Sequence, residues 1–240
     1  MTEASGHGWA LAFFPLLASL IAAVFGWRLL LRYLARRRPY EGVWAIALFM
    51  YAAASFAMAL GVFGGWDAGE YRLYWLLGAV LNVPFLAQGE LYLLARNRGM
   101  AHGLLLLLVL LSLASAWIVW AEPIRRGALV ETLPLGREAW GDDSPAYQLR
   151  WLSWIGYFGL LAGTVWSAFK MRGRPELRDR SAGTVAIALG ATVVAIGSGV
   201  GAGFDIVPLF SVSLAVGIAL MFWGFLRASR PSVPGTTQKA

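Results

Sequence analysis

The sequence predicts an all-α, polytopic membrane protein. Hydrophobic residues make up 59% of the 240 residues and charged residues 14%, whereas roughly a quarter of a soluble protein is charged. The mean hydropathy is +0.63. Apolar segments of about 20 residues, the length that crosses a bilayer as a helix, recur along almost the whole chain. They leave no room for a separate soluble domain.

Seven apolar segments predict seven transmembrane helices in a single domain over residues 1–230. Their bounds are 9–34, 43–63, 73–95, 103–120, 151–169, 183–202 and 207–226. The links between them are short, except for an outer connection over residues 121–148. Residues 231–240 are expected to form a flexible cytoplasmic tail.

The distribution of basic residues predicts the orientation of these helices. The links after the first, third and fifth segments are rich in arginine, and the net charge of +7 is concentrated there and at the C-terminal end. The alternate links carry acidic residues that offset their arginines. Because basic residues stay on the cytoplasmic side, the N-terminus is expected outside and the C-terminus in the cytoplasm. The basic charge is interpreted as anchors to anionic lipid headgroups rather than as a nucleic-acid site.

The first segment is interpreted as a permanent helix rather than a cleaved signal peptide. Residues 1–10 contain no Lys or Arg, whereas a signal peptide begins with a positively charged region. The apolar segment is also longer than the core of a signal peptide, and arginines follow it.

The third segment carries the polar residues on which the functional hypothesis depends. Asn82, Gln88 and Glu90 lie in it together with Pro84. Polar residues inside a membrane face the bundle interior, so the three side chains predict a ligand-binding site. Asn82 and Gln88 point about 120° apart on an ideal helix. They share one cavity only if Pro84 bends the helix or frees a carbonyl.

A structural ion pair is predicted between the first and third segments. Glu90 lies roughly 26 Å below Leu73, and Arg28 lies roughly 28 Å below Trp9, on two helices that both run inward. Because a charge in hydrocarbon costs at least about 2.5–3.5 kcal/mol, Arg28 and Glu90 are expected to pair. This pair either fastens the two helices or forms the floor of a polar site.

The sixth segment is distinguished by small residues. Gly190 and Gly197 lie on one face of it, and small residues allow helix backbones to approach closely in lipid. One interpretation is a tight contact with a neighbouring helix. The other is a smooth wall for a flat apolar ligand, which makes Gly190 and Gly197 candidate ligand-binding residues.

A 3+1+3 repeat is one hypothesis for the arrangement, with the leucine-rich fourth segment as the connector between two three-helix halves. Microbial rhodopsins and SWEET-type sugar transporters share that general architecture, but the motif residues of neither are present. A retinal Schiff base needs a lysine in the seventh helix. Segment 207–226 contains no lysine, which excludes this linkage. The proline–glutamine pair of the sugar transporters is also absent.

The sequence offers no catalytic or metal-binding signature. His7 and His102 are placed on opposite sides of the membrane, so they cannot bind one haem or one metal ion. There is no cysteine and no phosphate-binding glycine loop. No catalytic residue is therefore assigned, and the protein is expected not to be an enzyme.

The leading functional hypothesis is a multi-pass protein of the cell membrane that binds or transports a small apolar or amphipathic molecule. A non-covalently bound lipid, quinone or pigment is compatible with it. The alternative is a structural or regulatory subunit of a larger membrane complex, with a membrane-protein partner or a homo-oligomer. Apolar residues in the outer connection indicate that it packs over the bundle, either as a lid or as a contact surface.

Overall fold

The computed structural model describes residues 3–130, 132–171, 178–198 and 206–228, and the regular structure in these ranges is entirely helical. The long helices are α1 (Glu3–Arg36), α2 (Pro39–Gly64), α3 (Ala68–Leu94), α4 (Arg98–Ala121), α5 (Arg150–Met171), α6 (Arg178–Ile196) and α7 (Val207–Ala228). Each overlaps one predicted segment, and the ends differ by up to six residues. Residues 199–202 of the sixth segment and the predicted tail, 231–240, lie outside the described residues.

Five of the described helices are long and apolar enough to cross a membrane, as expected of a membrane protein. They comprise Leu11–Arg36, Pro39–Gly64, Ala68–Leu94, Arg98–Ala121 and Pro208–Arg227. α6 contributes a shorter apolar stretch, Val185–Ile196. α5 (Arg150–Met171) is not among these five.

The helix boundaries follow from local backbone chemistry. Asp67 precedes α3 and accepts from the free amides of its first turn, and Asn97 does the same for α4. Pro39 begins α2, where its missing N–H leaves no donor unpaired. Gly65 ends α2 with a φ of +86°, a conformation that favours glycine.

Six of the long helices form a ring. Around it, α1 packs on α2, α2 on α3, α3 on α5, α5 on α6, α6 on α7, and α7 on α1. The core follows the inside of this ring, where the Tyr51 hydroxyl of α2 donates to the Leu214 carbonyl of α7 over 2.8 Å. The ring leaves space between its helices that is not filled by side chains.

α4 lies outside the ring against α3. Its buried residues are Ala101, Leu108, Ser115 and Val119, which form one narrow stripe. Most of its remaining surface is exposed and apolar, with 65% exposure at Leu113 and 77% at Trp117. Such a surface suits contact with lipid.

Polar side chains of α3 fasten both ends of α4. Gln88 Nε2 donates to the Ala101 carbonyl at the start of α4 over 2.7 Å. At the other end, Arg72 donates to the carbonyls of Val119 and Glu122, each over 2.9 Å. α4 is thus held by hydrogen bonds that its leucine-rich sequence does not indicate.

Candidate functional site

A cavity of about 290 Å³ lies between α2, α3, α5, α6 and α7. Most of the side chains that line it are apolar or aromatic. Its polar side chains include Ser55, Asn82, Arg150, Ser153, Tyr157 and Ser198. This composition, an apolar wall with a few polar groups, is typical of a small-molecule site.

The cavity occupies the half of the bundle that is nearest the connection between α4 and α5. Trp75 and Arg150 line it at that end, close to where α3 begins and α5 starts. Leu86, Leu160 and Met221 line the opposite end, near the middle of their helices.

Asn82 is the predicted site residue that lines this cavity. Its side chain is only 4% exposed, and its Oδ1 atom has no hydrogen-bond partner among the described residues. A buried amide oxygen without a donor costs free energy, so its presence in an otherwise apolar wall requires an explanation. A ligand with a hydroxyl or N–H group would supply the missing donor.

The backbone of α3 changes its hydrogen-bond pattern beside Asn82. Residues Trp75–Leu81 are π-helical, and the Asn82 N–H donates to the carbonyl of Leu77, five residues earlier. Pro84 has no N–H, so it cannot donate to Val80 or Ala79 one turn before it. In the sequence, a bend or a freed carbonyl at Pro84 was only the condition under which Asn82 and Gln88 would share a cavity, and Gln88 does not line this one. π-helical segments are often found at functional sites.

Ser153 of α5 supplies the donor that Pro84 lacks. Its hydroxyl donates to the Ala79 carbonyl over 2.7 Å and approaches the Val80 carbonyl at 3.2 Å. Hydroxyl groups of neighbouring helices commonly satisfy backbone groups freed by proline in membranes. Ser153 also lines the cavity, so it belongs to the site by position, although the sequence did not single it out.

The structure does not bring Gln88 and Glu90 into the cavity with Asn82. Gln88 faces α4, where it donates to Ala101. Glu90 faces α5, where its Oε1 accepts from the Thr164 hydroxyl over 3.0 Å beside Gly163. The three polar residues of α3 therefore point towards different neighbours.

The predicted ion pair between Arg28 and Glu90 is not formed. Arg28 is exposed, with its guanidinium 5.5 Å from the centre of the Phe222 ring of α7. Glu90 is 7% exposed, and its Oε2 atom has no hydrogen-bond partner among the described residues. α1 packs on α2 and α7 rather than on α3, so the Arg28 side chain is directed away from Glu90.

Gly190 and Gly197 pack against α7 rather than lining the cavity. A Cβ atom added at Gly190 would lie 2.5 Å from the Gly217 carbonyl oxygen, and one at Gly197 would overlap Ser213. The two glycines therefore form a tight contact between helices and do not form a wall facing a ligand. Ala191, Val194 and Ala195 of α6 line the cavity, and so does Ser198, just beyond the end of α6.

The connection between α4 and α5 is folded against the end of the bundle. Its one-turn helices are Arg126–Val130, Gly136–Trp140 and Pro145–Gln148. Trp75 Nε1 donates to the Ala146 carbonyl over 2.9 Å, and its ring stacks with Tyr147. Trp75 also lines the cavity, so the connection packs against a residue of the cavity wall.

Arg150 is a site residue that the sequence did not reveal. It lines the cavity, and its guanidinium carbon lies 3.5 Å from the centre of the Tyr147 ring. Its Nη1 atom is buried without a hydrogen-bond partner in the described ranges. From the sequence it was one of several arginines on the outer side, with no signal that it enters a cavity.

A second cavity, of about 20 Å³, lies deeper in the bundle. Leu48, Leu86, Leu160 and Met221 line both cavities, and we call them the apolar layer. Each comes from a different helix, and none is more than 9% exposed.

The described residues contain no group of three or more His, Cys, Asp or Glu side chains that could hold a metal ion. Comparisons with family models, with curated proteins and with solved structures find no match to this chain.

Proposed function

We propose that the chain is a non-enzymatic membrane protein that binds or transports a small apolar or amphipathic molecule, and that the cavity beside Asn82 is its site. The observation that carries this proposal is the cavity itself. It combines an apolar wall with a buried amide oxygen that has no donor.

The size and chemistry of the cavity support a ligand rather than bulk water. An apolar cavity of roughly 150 Å³ stays dry and takes up benzene, and this one measures about 290 Å³. Water would gain few hydrogen bonds along most of its wall. An apolar body of moderate size would replace that loss with dispersion contacts.

The proposal includes the finer topology. We propose that α5 and α6 also cross the membrane, which gives seven spans in the cell membrane with the N-terminus outside. The cavity then lies in the outer half of the bilayer. The place of α4 outside the ring supports a 3+1+3 arrangement, with α1–α3 and α5–α7 as the two halves.

The test is to fill the cavity and to measure what the purified protein carries. Ala195→Phe places a ring in the cavity, and Ile196→Phe, at a neighbouring position that is 58% exposed, is the matched control. We expect mass and absorbance spectra of the unmodified protein and of Ile196→Phe, purified in mild detergent, to show the same lipid, quinone or pigment. Ala195→Phe should lose it while staying monodisperse and helical.

Two results would count against the proposal. One is an identical set of small molecules in Ala195→Phe and Ile196→Phe. The other is a protein that carries no small molecule but co-purifies with a stoichiometric membrane-protein partner, which would favour the structural or regulatory subunit.

A further inference from the structure

We propose that the ligand of this cavity is an amphiphilic anion, whose negatively charged head group binds the guanidinium of Arg150 while its apolar body occupies the cavity. This inference rests on the proposed function and names the class of ligand that the site would take.

The position of Arg150 is the first observation. It is the one charged side chain among the described residues that line the cavity. The guanidinium carbon lies 3.5 Å from the centre of the Tyr147 ring and 5.5 Å from that of Trp151. Both rings therefore lie within cation–π distance of the guanidinium.

The unsatisfied donor is the second observation. Cation–π contacts leave the N–H groups in the plane of the guanidinium free for acceptors. Nη1 is buried, yet it has no acceptor within the described part of the chain. A buried charged donor without an acceptor is costly, so the site favours a group that supplies one. Carboxylate and phosphate oxygens match the fork of an arginine and also neutralise its charge.

The remaining wall of the cavity limits the ligand to an amphiphile. Beyond Arg150 it is formed mainly by apolar and aromatic side chains such as Trp154, Phe210 and Leu214. The volume of about 290 Å³ is roughly twice that of a cavity that holds benzene, so a bicyclic ring or a medium-length alkyl chain fits. Asn82 lies about 10 Å deeper along α3 than Trp75, where Oδ1 could accept from a hydroxyl on the apolar body.

Another explanation is that Arg150 serves only as an anchor at the end of α5. In that case the stacking on Tyr147 and Trp151 would stabilise the fold without any preference for anions. The two explanations predict different ratios of affinity for a charged and an uncharged ligand, because an anchor affects both ligands equally.

The experiment measures binding of radiolabelled decanoate and decanol to the purified full chain in detergent. Specific binding is defined as the part that Ala195→Phe abolishes. We expect decanoate to bind at least about tenfold more tightly than decanol, as a charge-assisted hydrogen bond provides. Arg150→Gln should remove this preference by weakening decanoate alone. Arg150→Lys, which keeps the charge but not the fork, should retain part of it.

Arg126→Gln is the matched control. It removes an exposed arginine of the connection between α4 and α5, and Arg126 does not line the cavity. It should leave the preference unchanged. A parallel arm with decyl phosphate separates a free carboxylate from a phosphate head group such as that of a lipid. Preference for either anion over decanol, if lost in Arg150→Gln, supports the inference.

Equal specific affinities for the anions and for decanol would overturn this inference but leave the proposed function standing. An equal loss of acid and alcohol binding in Arg150→Gln would also overturn it and favour the anchor. The ratio is taken within each variant, so a partly unfolded sample does not imitate the expected result. If no probe shows specific binding, this inference fails, and the small molecules that the purified protein carries then decide the proposed function separately.

Discussion

Ser153 shows how one hydroxyl can permit a proline inside a membrane helix. Pro84 has no N–H and leaves one carbonyl of α3 without its helical donor, and Ser153 donates to the Ala79 carbonyl over 2.7 Å. The same bond joins α3 to α5 beside the cavity. Local helix chemistry and the packing of two helices thus depend on one side chain.

We expect Ser153→Ala to lower the free energy of unfolding by about 0.6–1.5 kcal/mol, because it leaves the partly buried Ala79 carbonyl without a donor. The measurement is reversible unfolding in micelles followed by circular dichroism. Ser112→Ala is the control, since the Ser112 hydroxyl donates to the Leu108 carbonyl within α4. That carbonyl keeps its helical donor, so the change should stay below about 0.5 kcal/mol. Equal losses in the two variants would contradict this role of Ser153.

Asn82, Gln88 and Glu90 mark what the sequence can predict about a site and what it cannot. Their spacing along α3 shows that they point in different directions, and Asn82 and Gln88 were expected to share a cavity only under a special condition. Which neighbour each one meets depends on the order of the helices around the ring. That order comes from packing between distant segments, which the local sequence does not encode.

Arg28 illustrates the same limit for charged residues. A rise of about 1.5 Å per residue predicts how deep a residue lies, but pairing also depends on direction around the helix. α1 faces α2 and α7, so Arg28 lies over Phe222. Arg150 was missed for a related reason, because no pattern in the sequence distinguishes an arginine that enters a cavity from one that faces solvent.

The contact between α3 and α5 depends on small residues of α5. Gly156 lies against Pro84, Gly163 lies against Glu90, and Thr164 donates to Glu90. A Cβ atom at Gly156 would lie 2.7 Å from the backbone nitrogen of Pro84. Backbone atoms cannot rotate away as a side chain can, so this approach requires glycine.

We expect Gly156→Ala to destabilise the protein by about 1–3 kcal/mol through overpacking. Gly159→Ala is a control on the same helix, where a Cβ would lie 3.9 Å from Ala87 in ordinary contact. It should be neutral, or stabilising by up to about 1 kcal/mol through helix propensity. Unfolding in micelles measures both variants. The contact as described is wrong if Gly156→Ala proves as stable as Gly159→Ala.

From the sequence, the small residues of α6 predicted a close helix contact, but not which of them faces which neighbour. Their spacing predicted a close contact in lipid, which agrees with the packing of Gly190 on Gly217 of α7. The alternative interpretation placed Gly190 in a ligand-facing wall, but the residue that lines the cavity is its neighbour Ala191. A difference of one residue is about 100° on a helix, which a small-residue stripe cannot resolve.

The proposed seven-span topology predicts which links between the helices are accessible from outside the cell. The chain has no cysteine, so single cysteines can be introduced for labelling. In intact cells, a membrane-impermeant maleimide should label Asp143→Cys, in the connection between α4 and α5. It should label Arg98→Cys and Arg174→Cys only after permeabilisation. Arg174 lies outside the described residues, in the link between α5 and α6.

The result at position 174 separates two topologies. Labelling only after permeabilisation is expected if α5 and α6 cross the bilayer. Labelling of Arg174→Cys in intact cells, together with Asp143→Cys, would leave the five apolar helices as the spanning set. Labelling at position 98 in intact cells would contradict the orientation of the first three helices.

The apolar layer has a consequence for the electrical properties of the membrane. The same four hydrocarbon or thioether side chains line both the larger and the smaller cavity. We expect an apolar layer of this kind to exclude water and ions. Liposomes that contain the chain should hold a potassium diffusion potential as long as protein-free liposomes do. A fast collapse of that potential would show that the layer conducts. If the potential holds, the membrane that contains this protein keeps its ion gradients, and no metabolic energy is needed to restore them.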